Sequence, residues 1–314
     1  MSNCETIQQI WPRPKLALSS LLPFKEITHS AIEEFFEEVY PDTYAVIMPS
    51  GRSALRLILN YSGLKRPDFF AIPKYSSHCI INSVGMVATP IQHIYDNTTQ
   101  SIIFHQWGFI RKEPTLSVLI EDSVDSLIPK GGNVFPNDGR FEIISLTKVF
   151  GTFIGGLILC QNQHDATKLR RQRDSANVLG QMHFYLRMAS QISPKLYTYW
   201  NNAEPLNTLI PSIGLRDIWD KIRCLDDLID DRCKKMAALN DMSLNPALPL
   251  PYGRYPCCWP ISIKKWPGAN QPTDQIIRHI HGKKGGDSYQ QVLPLPIHQQ
   301  VSIATIKKWI TYGY

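Results

Sequence analysis
The sequence predicts an α/β protein followed by a smaller α+β region, and three features carry that reading. Short apolar runs recur through the first half, several of them separated by stretches of helical period. Most of these runs end in glycine or polar residues, which places a site along the strand ends, where open α/β sheets bind ligands. From about residue 213 the pattern changes to a long amphipathic stripe and then a proline-interrupted stretch.

Residues 1–28 are punctuated by proline and read as an arm. In 31–39, Ile32, Phe35, Phe36 and Val39 recur at helical spacing, and Pro41 ends the helix. Residues 44–48 form a short apolar strand that runs into Pro49-Ser50-Gly51-Arg52-Ser53-Ala54-Leu55. Leu55, Ile58 and Leu59 then mark a helix stopped by Gly63. Strand, glycine turn and helix start together put free backbone N–H groups and the positive end of a helix dipole at one place, which suits a phosphate; a plain N-cap by Ser50 fits the same residues. Residues 69–72 make a strand broken by Pro73, and Tyr75-Ser76-Ser77-His78 leads into a helix through Ile81 and Val84. Further strands fall at 90–94, at 101–104 before His105-Gln106-Trp107-Gly108, and at 117–120 before Glu121-Asp122.

The central stretch is 141–160, FEIISLTKVFGTFIGGLILC. Its first apolar run delivers Ser145-Leu146-Thr147-Lys148 to a strand end, and a second run leads away from Gly155-Gly156. Partial burial disfavours an ammonium ion, and the neutral amine can attack a carbonyl and hold it as a Schiff base. Ser145 could bind an anion beside it. A solvated loop lysine fits this segment equally, so the segment alone leaves both readings open.

After Cys160 the chain turns helical, with a basic helix at 166–173 and a stripe at 215–239 that carries Ile218, Ile222, Leu225 and Ile229. A strand is expected at 258–263, and short helices at 275–281 and 303–310. His279 and His281 stand two apart with no third ligand candidate near them in sequence, so no metal site is expected.

Composition narrows the function classes. A net charge of +6 with no basic block and no arginine-rich arm argues against nucleic acid and is compatible with phosphorylated small molecules. The seven cysteines include no CxxC pair, which reads as reduced thiols in a cytoplasmic protein. No apolar run approaches the roughly 18 residues that a membrane span needs, and the N-terminus has no secretion pattern.

Four stations, taken in order, resemble the DegT/DnrJ/EryC1/StrS family of pyridoxal-phosphate sugar aminotransferases. Ser50-Gly51-Arg52-Ser53-Ala54-Leu55 is similar to that family's SGTxAL phosphate turn, and His105-Gln106-Trp107-Gly108 to its HxYG strand end. Ile120-Glu121-Asp122 is similar to its IEDxxQ segment, and Thr147-Lys148 with Gly155-Gly156 to its TK…GG stretch. Tyr75 with Asn82, and Leu293-Pro294-Leu295-Pro296, are weaker echoes. The resemblance implies a type I aminotransferase fold, trimmed relative to the family: a large cofactor domain over 1–212, with a mostly parallel mixed sheet between helices, and a smaller α+β domain over 213–314.

The resemblance also implies roles. Lys148 would hold pyridoxal 5'-phosphate as a Schiff base and later move the proton, and Asp122 would pair with the ring nitrogen. Gly51, Arg52, Ser53 and Ser145 would take the phosphate, and His78 would stack on the ring. Asp125 stands where the family has glutamine, beside the cofactor's phenolate, and Arg52 replaces a threonine. The implied reaction moves an amino group, typically from glutamate, to a nucleotide-linked keto sugar. Arg187, Lys195 and Arg254 are candidates to meet its diphosphate. A homodimer is expected, with residues around Asn201 and Asn202 contributing to the neighbouring site. The alternatives are a dehydratase or lyase with the same cofactor, and a non-catalytic partner subunit.

Overall fold
A computed structural model of the chain describes residues 10–17, 20, 26–92, 99–112, 117–175, 180–202, 208–244, 246–247, 254–263, 278–281 and 288–312. Helix α1 (His29–Val39) starts at Thr28, whose Oγ1 accepts the Ala31 N–H at 3.1 Å. Strand β1 (Tyr44–Met48) and helix α2 (Gly51–Tyr61) follow, joined by the glycine turn, with Ser50 as N-cap accepting the Ser53 N–H at 3.1 Å. Then come β2 (Phe69–Ala71), α3 (His78–Gly85), β3 (Thr89–Ile91), β4 (Gln100–Phe104), β5 (Ser117–Asp122) and β6 (Ser126–Leu127). Strand β7 (Phe141–Ser145) passes directly into a one-turn helix α4 (Leu146–Val149), and β8 (Gly156–Cys160) returns.

Seven of these strands form one sheet in the order β1-β8-β7-β5-β4-β2-β3. Strand β8 is antiparallel to both neighbours, and the other pairs are parallel. Six strands therefore run one way, so Met48, Phe104, Asp122 and Ser145 reach the same edge. Side chains alternate between two buried faces: Ala45, Ile47, Leu157 and Leu159 join one apolar cluster with Phe36, and Val46, Met48, Ile158 and Cys160 join the other with Leu55 and Ile58. Burial on both faces is why these strands read as continuous apolar runs instead of alternating ones.

Helices α5 (Gln163–Asp174), α6 (Gly180–Ala189), α7 (Pro194–Asn202), α8 (Ser212–Ile222) and α9 (Leu225–Asp241) come next. The long stripe expected over 215–239 is thus two helices, divided at Arg223-Cys224. Ile218 and Ile222 of α8 pack in the cluster that holds Phe36 of α1. The chain finishes with β9 (Tyr255–Pro256), β10 (Cys258–Ser262), β11 (Arg278–His281), β12 (Tyr289–Pro296) and α10 (Ile303–Tyr312). Strands β10-β12-β11 make a small antiparallel sheet, and β6 pairs with β9.

One expected helix is a strand. Of 275–281, the described part, β11, pairs with β12 in the register Arg278↔Val292 to His281↔Tyr289, and Ile280 is buried. A short apolar run has no period that separates the two states, and here a neighbouring strand supplies the backbone partners. Strand β12 itself is disguised in the sequence by its prolines. Pro294 lies opposite Pro260 and beyond the last β11 partner, Val292, so its missing N–H removes no bond on the β11 side.

Candidate active site
The sheet edge where six strands end borders a cavity of about 580 Å³. The glycine turn forms one wall because β8 comes in against it. A Cβ on Gly156 would stand 2.3 Å from the Ser50 carbonyl carbon and 2.6 Å from the Gly51 nitrogen, so only glycine permits that approach. Gly155, at φ 133°, donates its N–H to Pro49 O at 2.8 Å and accepts the Leu146 N–H at 3.1 Å. The lysine turn and the glycine turn are thereby tied through one residue.

Lys148, Asp122, Asp125, Gly51, Arg52 and Ser145 all line this cavity. The Lys148 ammonium lies 4.7 Å from the centre of the Trp11 ring, which reaches the cavity from the N-terminal arm. Asp122 ends β5. One of its oxygens accepts the Val124 N–H at 3.0 Å. Burial pushes its carboxyl up to about 7, against the pull of Lys148 and of that N–H, and Asp125 adds to the rise. Asp125 accepts the Trp107 N–H at 2.9 Å and the Ser126 hydroxyl at 3.4 Å, and burial raises its pKa as well. A raised pKa favours the protonated acid, the form that would not repel an anionic oxygen beside it.

Two expected site residues do not line the cavity. Ser53 is buried beneath the turn, with its hydroxyl 3.0 Å from that of Ser50. His78 is exposed, its ring within 3.2 Å of Asn82 Nδ2, so Tyr75, Ser76 and Ser77 border the cavity there in its place. Tyr75 in turn stacks on His279, with ring centres 4.1 Å apart. Asn201 lines the same chain's cavity, and its carbonyl accepts from Arg52.

The three basic candidates separate cleanly. Arg254 is buried in an ion pair with Glu142 at 2.8 Å and donates to Ser123. Lys195 is exposed and does not line the cavity, whereas Arg187 does. Sequence reasoning missed Trp11 and Trp200, and it gave Trp107 only as part of the strand-end motif at 105–108, without a role in the site. Trp107 follows β4 in the left-handed region, at φ 47°, with Gly108 after it at φ 81°. Its indole Nε1 is buried and has no partner among the described residues.

These residues fit pyridoxal phosphate. The cavity has room for it, a helix N-terminus beside Arg52 suits the phosphate, a buried carboxylate suits the ring nitrogen, and an amine suits the aldehyde carbon. An acid at the end of β5 and an amine in the one-turn helix that follows its parallel neighbour β7, with a helix-opening turn beside them, define a type I pyridoxal-phosphate-dependent enzyme. A family model described as "Putative PLP-dependent aminotransferase" matches residues 32–246, well over half of the chain. The protein belongs to that family.

Solved structures agree on the fold. The aminotransferase TlmJ from Streptoalloteichus hindustanus is 14% identical, aligned over 96% of each chain with a TM-score of 0.62. A DegT DnrJ EryC1 StrS aminotransferase from Brucella abortus is 15% identical over 91% of this chain and 90% of its own, with a TM-score of 0.59. Helicobacter pylori PseC, an aminotransferase involved in the biosynthesis of pseudoaminic acid, is 12% identical over 96% of each chain, with a TM-score of 0.61. No curated protein matches the chain.

Proposed function
We propose that the protein moves an amino group from an amino acid, glutamate in the first instance, to a nucleotide-linked keto sugar, with the cofactor held covalently by Lys148. The observation that supports this most is that Lys148 and Asp122 face one cavity beside the helix-opening turn. When bound, the cofactor ring supplies an electron sink for the carbon that loses its proton. Asp122, whose carboxyl burial raises to about 7 against the pull of Lys148, would as the carboxylate hold the ring nitrogen and keep its proton in place. Lys148 Nζ would hold the aldehyde carbon and, once freed by the incoming amine, would carry the proton from the substrate's Cα to that aldehyde-derived carbon. Gly51, Arg52 and the start of α2 would bind the phosphate. Trp11 and Trp107 would exclude water from the two sides on which they lie.

A homodimer suits the surface. Met182, Tyr185, Ile192 and Tyr199 are exposed by 57% to 86% and all belong to the α6–α7 segment, an apolar area that a second copy would cover. A reducing compartment such as the cytoplasm suits the free thiols of Cys79, Cys160, Cys224, Cys233, Cys257 and Cys258. No helix among the described residues is long and apolar enough to cross a membrane.

The test is incubation of the cofactor-loaded protein with glutamate, then with nucleotide-linked keto sugars. Aminotransfer converts the absorption of the bound cofactor from its aldehyde to its amine form, releases 2-oxoglutarate and yields an amino sugar. Loss of water or carbon dioxide from a substrate without that conversion would instead identify a lyase or dehydratase.

A further inference from the structure
Among the described residues, five cationic side chains border the cavity, those of Arg52, Lys74, Lys148, Arg187 and Arg278. Only two carboxylates do, Asp122 and Asp125, and both feel the charge of Lys148. A phosphate monoester carries about −1.5 to −2 near neutral pH. The cofactor would therefore leave the wall positive, and Arg187 is part of that charge. The guanidinium carbon of Arg187 lies 3.9 Å from the centre of the Trp200 ring and 5.9 Å from that of Tyr197. That of Arg52 lies 5.2 Å from the same Trp200 centre. Nε and Nη1 of Arg187 are cut off from water and have no hydrogen-bond partner among the described residues. Its pKa is lowered to about 10, mainly by burial, with Tyr197 opposing and Arg52 adding to the fall, so the group stays charged at neutral pH. An aromatic face supports a guanidinium but neither accepts its N–H bonds nor neutralises it. A half-buried guanidinium left with two unmet N–H groups gains when an anion arrives.

We propose that Arg187, backed by Trp200 and flanked by Arg52, binds an oxyanion of the substrate, a carboxylate or a phosphate group, on the α6–α7 wall of the cavity. This rests on the aminotransfer reading and extends it to the substrate. A guanidinium can meet either oxyanion with charge-assisted N–H bonds. Two sources share that chemistry: the side-chain carboxylate of the amino donor and the diphosphate of the acceptor. Bound there, the anion fixes the far end of the substrate, and the reacting carbon is turned toward Lys148.

The experiment compares wild type, Arg187→Gln and Arg187→Lys, each checked for native circular dichroism. Cofactor affinity is read from absorbance, glutamate affinity from the spectral change of the loaded protein, and uridine diphosphate affinity by calorimetry. Arg187→Gln should weaken glutamate or uridine diphosphate by about tenfold or more, with Arg187→Lys in between and cofactor affinity within about twofold of wild type. Weakened glutamate assigns the donor carboxylate, and weakened uridine diphosphate assigns the acceptor phosphate. The proposal is overturned if both probes bind Arg187→Gln as they bind wild type, if wild type binds neither, or if cofactor affinity falls as much as that of the probes. Absence of cofactor binding by wild type sinks the aminotransferase reading separately. In that case calorimetry of the unloaded protein with uridine diphosphate and with glutamate still decides the subsite: loss of either in Arg187→Gln supports it, and retention of both, or no binding of either by wild type, overturns it.

Discussion

The Lys148 ammonium stands over the Trp11 ring, 4.7 Å from its centre, because the arm that carries Trp11 is pinned on both sides. Cys258 Sγ donates to Ile10 O at 3.2 Å, and Arg13 and Gln300 exchange two hydrogen bonds of 2.9 and 2.6 Å. A cation–π contact of this kind contributes about 0.5–1 kcal/mol at exposed sites and about 2 kcal/mol when desolvated. Trp11→Ala should therefore raise the rate at which an amine-acylating reagent labels Lys148 in unloaded protein, by about two- to tenfold. Peptide mass spectrometry reads that rate, and an unchanged rate would show that the indole neither holds nor shields the amine.

Asp122 gives the unloaded protein a pH signature. Its carboxyl is raised to about 7 in the folded state, mainly by burial. Between about pH 4 and 7 the folded protein holds a proton that the unfolded chain has released, so this group's contribution to stability falls as pH rises through the window. In Asp122→Asn that loss is absent. The unfolding free energy of the variant minus that of wild type should grow across the window by a few kcal/mol, because one extra bound proton is worth roughly 1.4 kcal/mol for each step of one in pH. Denaturant titrations at a series of pH values measure this, and a flat difference would contradict it.

Arg254 is an arginine of the framework. Its guanidinium pairs with Glu142 at 2.8 Å, both side chains being at most 1% exposed, and it also donates to Asn133 O at 2.8 Å. Glu142 in turn accepts the Ser123 hydroxyl and the Phe135 N–H. Arg254→Met leaves a carboxylate buried without its cation and should cost about 3–5 kcal/mol, with Arg254→Met/Glu142→Gln recovering part of it. Urea unfolding checks both variants, and a single-variant cost below about 1 kcal/mol would refute the assignment.

Gly156 and Gly85 form a matched pair of substitutions. A Cβ at Gly156 meets the backbone of Ser50 and Gly51, whereas one at Gly85 meets nothing within 4 Å. Gly156→Ala should displace the glycine turn and weaken cofactor binding by about tenfold or more, and Gly85→Ala should leave it unchanged. Cofactor titration followed by absorbance distinguishes them. Equal affinities would mean that the turn does not depend on the close approach of β8.

The sheet and its edge are legible in the sequence because β1, β7 and β8 are buried on both faces and read as unbroken apolar runs, each bounded by glycine or polar residues. Lys148, Asp122 and the 50–55 turn can be found for the same reason, since each sits where such a run stops. The α6–α7 hairpin is not legible: its aromatic residues are partly exposed and carry no clean helical stripe, so Arg187 stands out only as one basic residue among several. Trp11 belongs to an irregular arm whose position is set by contacts with Cys258 and Gln300, far along the chain. Strand β11 reads as a helix because its partner strand is disguised by proline. His78 is a candidate for its ring alone, and the path of the backbone at Tyr75–Ser77 turns that ring to solvent.

The most direct measurement is borohydride reduction of the cofactor-loaded protein followed by peptide mapping. The proposal that Lys148 carries the cofactor predicts one reduced adduct, on the peptide that contains Lys148, and none in Lys148→Ala. An adduct on another cavity lysine such as Lys74, or no adduct in a protein that binds the cofactor, would contradict it.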